Sequence, residues 1–176
     1  MSLVPDAAVF QQRLAGLPIM KYQAGQDVMT AGSMDGKLFV LRSGAVEVLK
    51  EGVQITKVSA PGAVFGELAI LLAQPHTADV RTLEPSEFHV ADGRSLLTKD
   101  SLATLYVATI LARRLDGANR AMVDLRHRLQ AGDSRREISK TVEKVQELLS
   151  SGGASLLYAG YPYDPFAQKR PGSGAP

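Results

Sequence analysis

The sequence predicts a mainly β fold with flanking helices: a small antiparallel β-barrel or sandwich followed by a long C-terminal helix. Three observations predict it. From Ile19 to Val90, short apolar runs alternate with turn residues at a spacing of about 8–12 residues, which is antiparallel β texture. From 101 to 131, apolar or small residues recur at Ala108, Leu111, Leu115, Ala118, Met122, Leu125 and Leu129, a heptad row. The chain has 176 residues, 45% apolar and 22% charged, which suits one compact domain with extensions.

The elements follow in order. Residues 1–17 hold a helix: Val9, Phe10, Leu14 and Leu17 share a face, Pro5 suits its first turn and Gly16 its end. Residues 18–98 form the β unit. Gly25, Gly32-Ser33 and Asp35-Gly36 precede the run Leu38-Phe39-Val40-Leu41, and Ser43-Gly44 precedes Val46-Glu47-Val48-Leu49. Glu51-Gly52 turns into Val53–Val58, Pro61-Gly62 follows, and Glu84-Pro85-Ser86 introduces Phe88-His89-Val90. Residues 99–131 form the long helix. At about 1.5 Å per residue its 101–131 stretch reaches ~46 Å, farther than a small barrel extends, so Met122, Leu125 and Leu129 need a partner. Gly132 stops it, Ser134 to Glu137 is a capping-box pattern, and a second helix is expected over 134–151. Residues 152–176 are rich in Gly, Pro and Ala without a period and are expected to be a flexible tail, dispensable for folding.

Charge and composition narrow the function. Net charge is +2, so no overall field points to nucleic acid or membrane. The absence of cysteine removes thiolate catalysis, disulfides and Cys-ligated metals, and fits a cytoplasmic protein. Three scattered histidines point to no zinc or haem site, and no cofactor is expected. No long apolar run suggests a membrane span, and no signal-peptide pattern opens the sequence. No nucleophile elbow, P-loop or H-E-x-x-H occurs, so no enzyme is expected. Basic residues concentrate in 113–144 (Arg113, Arg114, Arg120, Arg126 and Arg128, then Arg135, Arg136, Lys140 and Lys144) and read as a solvated helix face.

One segment breaks the strand texture. Phe65-Gly66-Glu67-Leu68-Ala69 is followed, after five residues, by Pro75-His76-Thr77-Ala78. A very short helix at 67–72 after Gly66 would present unpaired N–H groups, with Glu67 as a hydroxyl acceptor and His76 and Thr77 as donors. His89 reads as structural and His127 as solvated.

This pattern resembles the phosphate-binding cassette of cyclic nucleotide-binding domains. The resemblance runs over about 18–131, from Tyr22 to Gly25 through Gly32, the Leu38 run, Ser43-Gly44 and the approach Gly62 to Phe65 to Ala112-Arg113-Arg114-Leu115. It implies a jelly roll, or double-stranded β-helix, that binds cyclic AMP or cyclic GMP. It implies that Glu67 accepts the ribose hydroxyl, that Gly66, Leu68 and Ala69 cradle the phosphate, and that Thr77, beside Ala78, donates to it. It places Asn119 near the purine. His76 departs from the pattern, which has an arginine there, and no basic neighbour obviously replaces it; Arg81 lies ~17 Å along the strand. His76 then serves as a weaker donor to a cyclic phosphate, or meets another small anionic or aromatic effector, or marks a pocket without a ligand.

The expectation is a stand-alone regulatory or sensor domain of the catabolite-activator type without the winged helix that follows there, since only residues 132–176 come after the long helix. It forms a homodimer through Leu111, Leu115, Ala118, Met122, Leu125 and Leu129 and has no specific DNA partner. A dimeric interaction module with a dead pocket and a truncated transcription regulator are the alternatives.

Overall fold

A computed structural model describes residues 7–132, 134, 136 and 138–143. The elements are α1 (Ala7–Leu14), β1 (Ile19–Tyr22), β2 (Asp27–Met29), β3 (Lys37–Ser43), β4 (Val46–Lys50), β5 (Val53–Val58), β6 (Val64–Phe65), α2 (Glu67–Leu72), β7 (Asp79–Thr82), β8 (Ser86–Asp92), α3 (Gly93–Lys99) and α4 (Ser101–Ala131). Two four-stranded antiparallel sheets, ordered β1-β8-β3-β6 and β2-β7-β4-β5, form the β unit.

The first sheet is covered on both faces, and β3 shows why. Phe39 and Leu41 join Val46, Val48, Val80 and Phe88 in the core that contains residues of both sheets. Leu38 and Val40 join Phe10, Leu14, Tyr106, Val107 and Ile110 in a second core beneath α1 and α4. A strand buried on both faces reads as a continuous apolar run, which is how Leu38–Leu41 stands in the sequence. Phe10 stacks on Tyr106 with ring centroids 3.7 Å apart, and the Tyr106 hydroxyl donates to the Gly62 carbonyl at 3.3 Å.

The long helix has the expected extent. The Asp100 side chain accepts from the Leu102 and Ala103 N–H groups, and Gly132 closes the other end in the left-handed region. The sequence reading missed α3, whose first turn is capped by the Asp92 carboxylate accepting from Ser95 N–H. Residues 138–143 are helical, and Ile138 N–H donates to the Ser134 carbonyl. The rest of the expected second helix, and the whole expected tail, lie outside the described residues. Among the described residues no helix is long and apolar enough to cross a membrane.

Candidate cyclic nucleotide site

Gly66 sets the local geometry of the site. Its φ of 90° lies in the left-handed region, and a Cβ there would stand 2.6 Å from the Lys37 carbonyl oxygen. Only glycine lets the chain leave β6, turn against β3 and start α2 at Glu67, the helix bounds that the sequence predicts. Ala73, also left-handed, ends α2, and the chain returns through Pro75 to His76 and β7.

The returning segment and α2 border a cavity of about 440 Å³. Gly66, Glu67, Leu68, Ala69, His76, Thr77 and Ala78 all line it, so the structure brings together every site residue predicted from the cassette. Met29, Val48, Ile55, Val64, Phe65 and Val80 supply an apolar wall. Asn119 does not reach this cavity. It lies on the exposed surface of α4 beside Arg120, Val123, Asp124 and His127, about 7.5 Å further along the axis than Arg114.

Two side chains at the site are already engaged. Glu67 is buried, and its Oε1 accepts from Arg114 Nη1 of α4 at 2.5 Å. Arg114 therefore does not belong to a solvated basic face: it is 6% exposed and its Nη2 also faces the Val64 carbonyl at 3.5 Å. The Arg114 Nε is buried and has no hydrogen-bond partner among the described residues. His76 is buried too, and its Nε2 lies 3.1 Å from Asp35 Oδ1. The His76 backbone donates to Ser33 and accepts from Gly32, so the segment between β2 and β3 is pinned to the cassette at one residue.

No basic residue was expected to replace the missing arginine obviously, yet the cavity has two in its lining. Arg114 and Lys50 both line the cavity. Each carried a signal in the sequence. Lys50 continues the inward alternation Val46, Val48 of β4, and Arg114 lies one helical turn beyond Ile110 on the buried face of α4. A charge at the end of an apolar series reads as solvent-exposed unless something beyond the series closes over it. Arg81, on the outward face of β7, pairs with Asp27 at 2.8 Å and lies away from the site.

Residues 19–99 match the family model described as the cyclic nucleotide-binding domain. Residues 19–99 form a cyclic nucleotide-binding domain. Among its relatives are glutaminase 2 of Bradyrhizobium diazoefficiens, 43% identical over 112 residues, and a cAMP-dependent protein kinase regulatory subunit of Yarrowia lipolytica, 36% identical over 80. The matches cover 59% and 46% of this chain but only 18% and 21% of those proteins. The catabolite activator protein of Thermus thermophilus shares the fold with a TM-score of 0.54 at 20% identity, over 82% of this chain and 80% of that one. A cyclic nucleotide-binding domain from Methylobacillus flagellatus has a TM-score of 0.51 at 21% identity, over 58% and 64%. In this domain the cassette cavity is joined to α4 by the Glu67–Arg114 pair, and α2 meets α3 through Ile70, against which Gly93 packs so closely that a Cβ there would collide with it.

Proposed function

We propose that the chain is a regulatory domain whose cassette cavity takes cyclic AMP, cyclic GMP or a related small anion and passes its occupancy to α4. The carrying observation is the buried ion pair between Glu67, at the first turn of α2, and Arg114, in the middle of α4. A ligand hydroxyl that hydrogen-bonds Glu67 changes what that carboxylate offers Arg114. The same contact that recognises the ligand then biases the position of α4, which is a population shift between two arrangements of the helix. His76 in place of a charged fork predicts affinity roughly 10- to 100-fold below that of an arginine-bearing site.

α4 has a surface suited to receiving that signal. Leu115, Met122 and Leu129 are 61%, 59% and 57% exposed and lie seven residues apart, so a second copy of the chain packing along this row forms a homodimer. Ala118 takes no part in it, because it is buried within the chain itself, and Leu111 packs partly against the second core.

The test is titration calorimetry of the wild-type chain with cyclic AMP and cyclic GMP, paired with Glu67→Ala and His76→Arg. Saturable binding that weakens in the first variant and tightens in the second supports the reading. A second reading, a dimeric interaction module with a dead pocket, draws on the engagement of both Glu67 and His76 by Arg114 and Asp35. It is favoured if neither nucleotide binds at millimolar concentration while light scattering still reports a dimer.

A further inference from the structure

One cation at the cavity stands outside its ion pairs. Glu67 and Arg114 neutralise each other, and the His76 ring is held by Asp35. Lys50 lines the same cavity and, among the described residues, has no ion-pair partner. The buried Arg114 Nε–H also has no acceptor among the described residues.

The strand register says which face Lys50 presents. β4 pairs with β7 antiparallel, Val48 opposite Val80 and Leu49 opposite Asp79. One step further along that register sets Lys50 opposite Ala78, immediately beside Thr77. Paired strands lie ~4.8 Å apart and opposed side chains share a face, which puts Lys50 on the same face as Ala78; Thr77, just outside β7, lines the same cavity. Ala78 and Lys50 both line the cavity, as that geometry requires.

We infer that Lys50, with the Thr77 hydroxyl, is the anion-binding end of the cavity, and that the positive charge meeting the ligand comes from β4 and not from the cassette. This rests on the proposal that the cavity takes a cyclic nucleotide. An ammonium outside any ion pair among the described residues suits the single negative charge of a cyclic phosphodiester. The ammonium is a point charge without bidentate geometry, so it contributes attraction more than orientation, and Thr77 supplies the directional hydrogen bond.

The experiment is calorimetry of the full chain with cyclic AMP and with cyclic GMP, at about 50 and 300 mM sodium chloride, for wild type, Lys50→Met and Lys50→Arg. Lys50 is exposed, so both variants should melt with the wild type. Lys50→Met is expected to lose roughly 10-fold in affinity at low salt and to lose most of the salt dependence, while Lys50→Arg stays within about threefold of wild type. A Lys50→Met affinity within about twofold of wild type overturns the proposal, and so does an arginine variant as weak as the methionine one, because charge is then not what matters. A wild type that binds neither nucleotide refutes the nucleotide reading itself and this inference with it; a wild type that binds while Lys50→Met binds equally well refutes the lysine alone.

Discussion

The two halves of α4 have the same helical geometry and do different jobs. From Ala103 to Arg114 the helix buries Ala103, Tyr106, Val107, Ile110 and Arg114, and most of these join Phe10, Leu38 and Val40 in the second core. From Leu115 to Ala131 it buries only Gly117, Ala118 and Ala121, all small, half-buries Leu125, and leaves Leu115, Met122, Val123 and Leu129 in solvent. The proximal half stabilises the domain and touches the cavity. The distal half is packed only at its small residues and otherwise presents an exposed apolar row. An unbroken heptad row runs through both, so periodicity alone does not reveal that the helix changes partners near Leu115.

The contrast is sharpest at Arg114, where the largest effect is expected. Replacing it with methionine leaves Glu67 as a buried carboxylate without its cation, which costs about 3–5 kcal/mol. Adding Glu67→Gln should recover much of that loss, because the unpaired charge is then gone. Urea unfolding of the single and double variants measures both. A single-variant cost below about 1 kcal/mol would mean that the pair is solvated and that α4 is not fastened to the cavity.

The next comparison is a truncation in each half. Ile110 is fully buried, and Ile110→Ala should cost about 2–5 kcal/mol. Met122→Ala, on an exposed residue of the same helix, should change the stability of the isolated chain by no more than about 0.5 kcal/mol. Comparable losses at low protein concentration would show that the distal half is packed after all.

A charge in the distal row then tests what covers it. Leu115→Glu and Met122→Glu should leave unfolding of the dilute chain almost unchanged and move the chain toward monomer in light scattering at tens of micromolar. Equal masses for wild type and variants would remove the dimer and leave the row without an assigned partner.

Much of this was legible in the sequence, and the gaps have physical causes. The Gly66-Glu67 turn, the 67–72 helix, the 101–131 helix with its Gly132 stop and the alternating strands each depend on local backbone chemistry, which the sequence displays directly. Lys50, Arg114 and Asp35 were missed because their roles depend on contacts over long sequence distances: Arg114 meets Glu67 across 47 residues, and Asp35 meets His76 across 41. Asn119 was placed by its offset from Leu115, but an offset on a helix fixes an angle and a height and not the point where the helix leaves the barrel. Ala118 was read as seam because it occupies a heptad position, although a small residue there is also what close packing within the chain selects.

The expected effect of pH belongs to the folded body and not to the distal helix. His89, on β8 between Ile19 and Val40, is buried with Nδ1 lacking a partner. Burial, and then the nearby Arg42 guanidinium, push its pKa below the ordinary histidine value, partly offset by the Leu17 backbone and Glu87. The folded state therefore refuses a proton that the unfolded chain accepts below about pH 6.5. Linkage sets the sign: stability is fully present above that pH, declines as pH falls toward the lowered native value, and levels off beneath it, with a slope of at most about 1.4 kcal/mol per pH unit. His89→Leu removes both the titration and the orphaned ring nitrogen, so its stability relative to wild type should rise as pH falls from about 7 to 5. Urea midpoints at both pH values measure the difference, in which the other titrating groups largely cancel. A difference that stays constant over that range would mean that His89 charges as readily in the fold as out of it, and that β8 is more open to water than its burial indicates.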